Sequence, residues 1–314
     1  MVSPGVVILG EVRTSLLHTS LPLPRKSVVD LLSLRPGRQV VATDRPINRT
    51  VSPDSVVGVD CALATEPQAR ARGIGTVASH AVVVGGMVLQ ASARTSCEWV
   101  EYRERRAWSH YARRRGVLDV LGNSVPEQVV RGSKRAVRVP ETLDLGSVCQ
   151  RLLAAVQGRP QLDHRTRLRA RPTRLRWNAV VEPDVRPSVH LHIDDDVQRT
   201  VDLVVPPEAA SAAVVFCEDL ALHDWLYTTL GAVVEEAERD VDVGADPMRV
   251  LGAALSLLVR LWLPGKHVDP VLRPLWDDLE REPGFSTAWH QNVAWMRDQV
   301  SITTLSAWQE SRLV

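Results

Sequence analysis

Residues 74–97 read IGTVASHAVVVGGMVLQASARTSC, and this stretch decides the first part of the fold. Two apolar runs, 74–84 and 87–97, flank Gly85-Gly86, a dipeptide that accepts the positive φ angles of a two-residue turn. The pattern therefore predicts a β-hairpin.

The sequence before and after this hairpin extends it into a β-rich module. Strands are predicted at 6–14, 38–47 and 56–63, and a short helix begins at Pro24 and stops before Pro36-Gly37. A basic stretch follows, with a helix expected at 109–121. Another amphipathic helix, at about 144–157, closes a basic β-rich module that spans residues 1–157.

The rest of the chain divides into a small β segment and a helical part. Strands are predicted at 174–181, 188–194 and 198–205, and the last two form a hairpin around Asp194-Asp195-Asp196. Residues 158–207 are thus a basic segment plus a β-hairpin. After Pro206-Pro207, helices at 208–239, 246–263, 269–282 and 286–308 predict an acidic helical bundle over 208–314. The predicted fold class is α+β.

Composition places the chain among globular proteins, with 45% hydrophobic and 24% charged residues in 314. Residues 1–15 have no signal-peptide pattern, and the apolar run at 250–263 is too short to cross a membrane. The four cysteines show no CxxC pair and are expected to be reduced thiols: Cys61, Cys97, Cys149 and Cys217. We therefore expect a cytoplasmic protein without a membrane span.

Charge is distributed unequally along the chain. Residues 1–177 contain 28 Lys and Arg against 14 Asp and Glu, whereas residues 178–314 contain 10 against 23. This asymmetry fits either an acidic or polyanionic partner for the first part, or contact between the two parts of the chain.

Two arginine clusters are candidates for anion binding. The first recurs at every second position, near phosphate spacing in an extended chain, and continues into the next strand: Arg165, Arg167, Arg169, Arg171, Arg174 and Arg176. The second surrounds aromatic residues that could stack on bases: Arg103, Arg105, Arg106, Arg113, Arg114 and Arg115, with Trp108, His110 and Tyr111. The alternatives are a basic edge that docks on the acidic half for the first cluster and a solvated helix for the second.

His190, His192 and Asp194 alternate along a predicted strand and so share one face, a spacing that some metal sites use. No partnering histidine follows these three residues directly, and the opposite face of the strand is the apolar one, so the sequence predicts a solvated strand face and no bound metal. The chain also lacks a phosphate loop, a dinucleotide fingerprint, a nucleophile elbow and an HExxH motif. We therefore predict no catalytic residues and no cofactor.

The predicted helix 208–239 carries the candidate partner-binding residues. Its stripe of Phe216, Leu220, Leu226 and Leu230 is expected to face the bundle core, which leaves neighbouring polar and aromatic side chains on the flanks. The candidates are Asp219, His223, Asp224 and Trp225. The alternative is that the tryptophan is buried between helices.

Seven segments carry a family resemblance: VILGE (7–11), GVDC (58–61), RGIGT (72–76), HRTRLRARPTRLRW (164–177), FCEDLALHDWL (216–226), LWLPGKHVDPVLRPLW (261–276) and PGFS (283–286). Over nearly its whole length the chain resembles a family of actinobacterial proteins. The genes of that family lie beside those of a variant P-loop protein similar to MinD/ParA-type ATPases and of a SAM-dependent methyltransferase. The resemblance implies a working partnership and assigns no catalytic residue.

These observations favour a non-catalytic interaction component of a multiprotein bacterial system, with a MinD/ParA-like P-loop ATPase or a second copy of the chain as its partner. One alternative is a module that binds nucleic acid or a phosphate ligand through the arginine clusters. The other is a hydrolase centred on His190, His192 and Asp194.

Overall fold

The computed structural model describes residues 5–65, 69–101, 105–134, 141–166, 168–242 and 248–310. The strands are β1 (Val6–Leu16), β2 (Val41–Thr43), β3 (Arg49–Val51), β4 (Ser55–Leu63), β5 (Ala71–Val84), β6 (Val88–Trp99), β7 (Val117–Gly122), β8 (Thr173–Val181), β9 (Ser188–Ile193) and β10 (Gln198–Val205). The helices are α1 (Arg25–Leu32), α2 (Trp108–Arg113), α3 (Pro126–Lys134), α4 (Leu145–Gln157), α5 (Ala212–Asp242), α6 (Met248–Leu257), α7 (Arg273–Arg281) and α8 (Phe285–Glu310).

The strands form one mixed sheet in the order β2-β3-β5-β7-β6-β1-β8-β10-β9, with β4 paired to β5. The long strand β5 is paired twice on each edge, with β4 and β3 on one and with β7 and β6 on the other. The pairs β6–β7 and β8–β10 are parallel, and the remaining pairs are antiparallel. The predicted mixed α and β content is confirmed.

Strand β1 has apolar residues on both faces because both faces of the sheet are covered by helices. Ile8 and Val12 lie in one core with α5, whereas Val7 and Leu9 lie in a second core with α4. The period-2 alternation of side chains sends successive residues to opposite layers. The sheet is thus the middle layer of three.

Both predicted hairpins are present, with one difference in the first. Gly85 and Gly86 have φ angles of 60° and 72°, as the sequence predicted, but Met87 also belongs to the loop because Val84 pairs with Val88. Strands β9 and β10 form the second hairpin. Helix α4 begins after Asp144, whose carboxylate accepts a hydrogen bond from the Ser147 backbone N–H at 3.0 Å.

The helix predicted at 109–121 is present only as far as Arg113, and the rest of the prediction is wrong. Helix α2 ends at Arg113, and the following VLDVLG segment is strand β7, inserted between β5 and β6. Its β-branched residues gain ladder hydrogen bonds on both edges there, and this tertiary pairing outweighs local helix propensity.

Strands from the first two predicted modules share the sheet, because β1 pairs with β8 across the expected boundary at residue 157. The C-terminal helices are present, and α5 packs directly on β1 and β8 while α6 and α8 pack on α5. None of the helices in the described ranges combines the length and apolarity that a bilayer crossing needs.

Candidate ligand-binding cleft on the sheet

A cleft of about 390 Å³ lies on the α4 side of the sheet. Its floor is formed by β1, β8 and β10, with the side chains of Glu11, Arg174, Arg176 and Asn178. Helix α3 and residues 141–145, which lead into α4, form its walls. The cleft therefore lies where the helical layer leaves part of the sheet uncovered.

The register of β1 and β8 brings the polar floor together. Glu11 pairs with Arg176 and Leu9 pairs with Asn178, so these side chains lie on the same face. The intervening residues of β8, Leu175 and Trp177, belong to the core with α5. The polar and apolar residues of this strand thus serve two different layers.

Glu11 is the centre of a buried ion cluster. Only 2% of Glu11 is exposed, and Arg174 holds it bidentately, with Nε to Oε1 and Nη2 to Oε2 both at 2.8 Å. Arg13 Nε donates to Oε1 at 2.9 Å, and Arg176 Nε lies 3.7 Å from Oε2. Three guanidinium groups thus surround one carboxylate at the floor, and the carboxylates of Glu141 and Asp144 line the same cleft.

The first turn of α4 is built to fit this cluster. A Cβ atom at Gly146 would lie 2.7 Å from Glu11 Oε1 and 2.8 Å from Arg13 Nη2, so a larger residue there would push the ends of these two side chains aside. Gln150 Oε1 accepts a hydrogen bond from Arg13 Nη1 at 2.7 Å. The positive end of the helix dipole adds to the positive field at the cleft.

Asn178 carries an unused hydrogen-bonding group at the floor. Its Nδ2 donates to Asp202 Oδ1 at 2.6 Å, and because a carboxylate only accepts, this contact fixes which end of the amide is oxygen. Only 2% of Asn178 is exposed, and its Oδ1 has no partner among the described residues. A buried acceptor without a donor costs about 1–3 kcal/mol, which a bound donor would recover.

Comparisons of this chain with protein-family models, with curated proteins and with solved structures found no match.

The row of arginines predicted from residue 165 onwards does not form a single surface. Arg165, Arg169 and Arg171 are exposed before β8 begins, whereas Arg174 and Arg176 are half-buried at the cleft floor beside Glu11. Arg167 lies outside the described residues. The row is divided because the chain enters the sheet at Thr173, where neighbouring strands determine which way each side chain points.

The second arginine cluster surrounds an exposed tryptophan. Trp108 is 44% exposed, and the Arg105 guanidinium lies 5.0 Å from its ring centroid, a cation–π contact. Arg114 instead pairs inward with Glu98 and with the buried Asp119. Arg103 lies outside the described residues.

The four partner-binding candidates on α5 were expected on the flanks of the helix, and this placement is wrong. Asp219, His223, Asp224 and Trp225 are each between 0% and 4% exposed. The expectation assumed one apolar stripe facing a bundle, whereas α5 lies between the sheet and the segments that follow it. Burial leaves these side chains with little surface for a partner.

Hydrogen bonds to the chain's own backbone account for two of these side chains, His223 and Asp219. His223 Nδ1 donates to the Asp219 carbonyl at 2.7 Å and Nε2 accepts from the Leu263 N–H at 3.1 Å, a pattern that requires the neutral Nδ1–H tautomer. Asp219 Oδ2 accepts from the Gly265 N–H at 2.8 Å, and these bonds fasten residues 263–265 to α5.

The other two candidates are held by residues of the sheet and of the segment that leads into it. Asp224 Oδ1 accepts from Arg199 Nε at 2.9 Å, and Trp225 Nε1 donates to the Arg171 carbonyl at 3.0 Å. The alternative that Trp225 is buried is therefore correct. Asp224 has a raised pKa because burial outweighs the attraction of Arg199.

Sequence reasoning missed an ion network between the sheet and α5. His80 Nε2 lies 2.7 Å from Glu218 Oε1, and His80 Nδ1 lies 3.1 Å from Asp54 Oδ1. Arg49 Nη2 donates to Glu218 Oε2 at 2.6 Å, and Arg94 Nη2 donates to Asp54 Oδ2 at 2.9 Å. The signal that the sequence offered was a histidine next to the apolar run 81–84 of β5.

This network sets the charges of its members. Burial favours the neutral imidazole, but the Glu218 carboxylate and the hydrogen bonds to Asp54 and Glu218 outweigh it and raise the pKa of His80 to about 9. Burial would likewise raise the pKa of Glu218, but the charges of His80 and Arg49 lower it to about 2. The imidazolium and the carboxylate are therefore both ionised at neutral pH.

His190 and His192 lie on β9, an edge strand of the sheet, and Asp194 directly follows it; all three are exposed. His192 Nε2 lies 3.6 Å from Asp202 Oδ2, a residue that also accepts from Lys134 Nζ at 2.5 Å. Within the described ranges, no group of three or more His, Cys, Asp or Glu is placed to hold a metal ion. The absence of bound metal remains a prediction.

Proposed function

We propose that this protein binds a small molecule in the cleft above β1 and β8. The observation that carries the proposal is the buried, unpartnered Oδ1 of Asn178 beside the Glu11–Arg174 ion cluster. A cleft floor that holds an unused acceptor next to guanidinium groups fits a ligand with complementary groups.

The size and chemistry of the cleft define the ligand class. Its volume of about 390 Å³ is within the range of about 300–1,000 Å³ that is usual for small-molecule sites. Leu63, Val129 and Leu143 add apolar walls, and Ser133 and Thr200 add hydroxyl groups. The ligand expected is a small, partly apolar molecule with one acidic group toward the arginines and one hydrogen-bond donor toward Asn178.

Ligand-observed NMR tests this proposal with the proteinogenic amino acids and the common ribonucleoside monophosphates as probes. We expect at least one probe to bind the purified protein and to lose binding in Ser133→Trp, which fills the cleft, and in Asn178→Leu. The control variant Ser109→Trp adds the same side chain at an exposed position outside the cleft and should bind normally. The proposal fails if no probe binds, or if Ser133→Trp binds as well as the control.

A second candidate function, that of an interaction component, is favoured by the end of α8. Ile302, Leu305 and Trp308 are 56%, 60% and 54% exposed at spacings of three residues, so they form an apolar stripe on the last turns of the helix. An exposed apolar stripe of this kind is typical of a helix that docks on another protein. Under this candidate the protein acts in the cytoplasm with the P-loop ATPase that the family resemblance implies, or with a second copy.

Co-purification tests the second candidate. Leu305→Glu should abolish association with the P-loop protein or with a second copy in pull-down and sedimentation, whereas Thr304→Glu, at the neighbouring exposed position, should not. Equal association of the two variants would remove α8 from the interface.

A further inference from the structure

A second groove lies between the segment after α6 and the helix α7. Its volume is about 490 Å³, and it is lined by Gly265, Lys266, Arg273, Trp276, Asp277 and Glu280 together with Pro264 and Ser286. The groove is separate from the cleft on the sheet and shares no lining residue with it.

Trp276 contributes a buried donor without an acceptor to this groove. Only 3% of Trp276 is exposed, and its Nε1 has no partner among the described residues. By contrast, Trp225 Nε1 donates to a carbonyl at 3.0 Å and Trp262 Nε1 donates to Ser286 Oγ at 3.3 Å. Buried indole N–H groups usually find a partner, and among the described residues Trp177 and Trp276 are the two whose buried Nε1 has none. Because Trp276 lines the groove, a molecule bound there is placed to supply the acceptor.

The indole is held firmly in this position. The His223 ring meets it edge-on at 5.4 Å, and Phe216 packs against it at 6.1 Å between centroids. A Cβ atom at Gly265 would lie 3.1 Å from Cδ1 of Trp276, the carbon bonded to Nε1. The pyrrole edge of the ring therefore lies against Gly265, which is itself part of the groove lining.

Two cations flank the same groove. Lys266 and Arg273 are exposed, and neither side chain has a hydrogen bond or ion pair with any residue that the structure describes. The carboxylate of Glu280 is already used, because it accepts from the Ser286 N–H at 2.9 Å and from Ser286 Oγ at 2.7 Å. The groove thus has three available donors in the described part of the chain.

We propose that this groove binds a carboxylate group of a small molecule, which accepts a hydrogen bond from Trp276 Nε1 and is flanked by Lys266 and Arg273. Charge-assisted hydrogen bonds of this kind are the strong ones in proteins. The carboxylates of Asp277 and Glu280 line the same groove. The groove therefore has two cations and two carboxylates, and a singly charged carboxylate adds less net negative charge to it than a doubly charged phosphate.

The indole N–H resonance of Trp276 reports directly on this contact. We assign it in ¹H–¹⁵N spectra as the resonance missing from Trp276→Phe, and add N-acetylleucine, with its neutral analogue N-acetylleucinamide as the matched probe. N-acetylleucine at up to about 10 mM, enough to saturate a millimolar site, should shift this resonance downfield. The amide should not.

The flanking cations are tested by matched variants. Lys266→Gln and Arg273→Gln should each weaken binding of N-acetylleucine about tenfold, the loss expected for one charge-assisted contact. Lys26→Gln, which removes an exposed lysine far from the groove in sequence, should leave the affinity unchanged. Asn178→Leu should also leave it unchanged, so the result does not depend on the sheet cleft.

The proposal is overturned if the resonance does not shift, if N-acetylleucinamide shifts it equally, or if Lys266→Gln and Lys26→Gln behave alike. A shift produced by inorganic phosphate and not by N-acetylleucine would also overturn it, because the site would then select a different anion.

Discussion

Replacing Glu218 by glutamine tests whether the ion network holds α5 to the sheet. Glu218 lies on α5, and its two oxygens contact His80 of β5 and Arg49 of β3. Glutamine keeps the shape of the side chain but removes the charge. The variant leaves a buried imidazolium and a guanidinium without their shared carboxylate.

The size of the effect follows from the pKa of His80. It is raised from 6.5 to about 9 in the folded chain, and each pKa unit corresponds to about 1.4 kcal/mol, so the favourable interactions of the imidazolium are worth about 3 kcal/mol. Asp54 supplies part of this interaction energy and is still present in the variant. Loss of the Arg49 contact increases the destabilisation. We expect Glu218→Gln to lower the free energy of unfolding by about 3 kcal/mol, in line with other buried ion pairs that lose one partner.

The effect should depend on pH in a defined direction. A histidine with a raised folded pKa contributes stability that is complete below its unfolded pKa of 6.5 and is lost as the pH rises through about 9. Glu218, whose folded pKa is lowered to about 2, contributes stability that is present above 4.5 and is lost as the pH falls toward 2. The difference between wild type and variant should therefore be largest between about pH 5 and 6.5.

Urea unfolding followed by tryptophan fluorescence measures the difference in unfolding free energy between wild type and variant at about pH 6 and about pH 9.5. At the higher pH this difference should be smaller by about 1 kcal/mol or more. Glu235→Gln, an exposed position on the same helix, is the control and should change stability by less than about 0.5 kcal/mol. A deficit below about 1 kcal/mol, or an equal deficit at both pH values, would refute the charged network.

Three further predictions follow from contacts described above. Arg199→Ala should destabilise the chain by about 3–5 kcal/mol in urea unfolding, because it leaves buried Asp224 without its partner; a loss no larger than that of exposed Arg186→Ala would contradict this. Limited trypsin digestion should cut first within 158–172 or 182–187, where residues such as Arg165 are exposed, and first cuts confined to residues 1–100 would count against it. Elemental analysis should find no stoichiometric transition metal, whereas one equivalent of zinc lost on changing His190 and His192 to alanine would show the opposite.

The features that sequence predicted well are those fixed by neighbouring residues. The turn at Gly85-Gly86 depends on the residues at the turn itself, and the start of α4 depends on the Asp144 cap three residues from its donor. Local chemistry of this kind is visible in a sequence before any fold is known.

The features that sequence could not predict depend on contacts between distant residues. The ion pair of Arg49 with Glu218 joins residues 169 positions apart, and no spacing rule relates them. Burial of the polar residues of α5 was missed for the same reason, because their partners come from β10 and from residues 263–265. Part of the cleft floor was predicted. Arg174 and Arg176 were named as anion-binding candidates because of their charge, whereas Glu11 and Asn178 were not named as site residues.

The pairing of β1 with β8 has a consequence for how the chain acquires its fold during synthesis. Thr14 pairs with Thr173, so about 160 residues must be made after β1 before its partner exists. At translation rates of about 5–20 residues per second, this edge of β1 stays open for about 10–30 s. An open edge of this kind can pair with other chains, and closing so long a loop slows folding. We therefore expect a nascent chain that stops short of residue 173 to be aggregation-prone, and folding to be completed only late in translation.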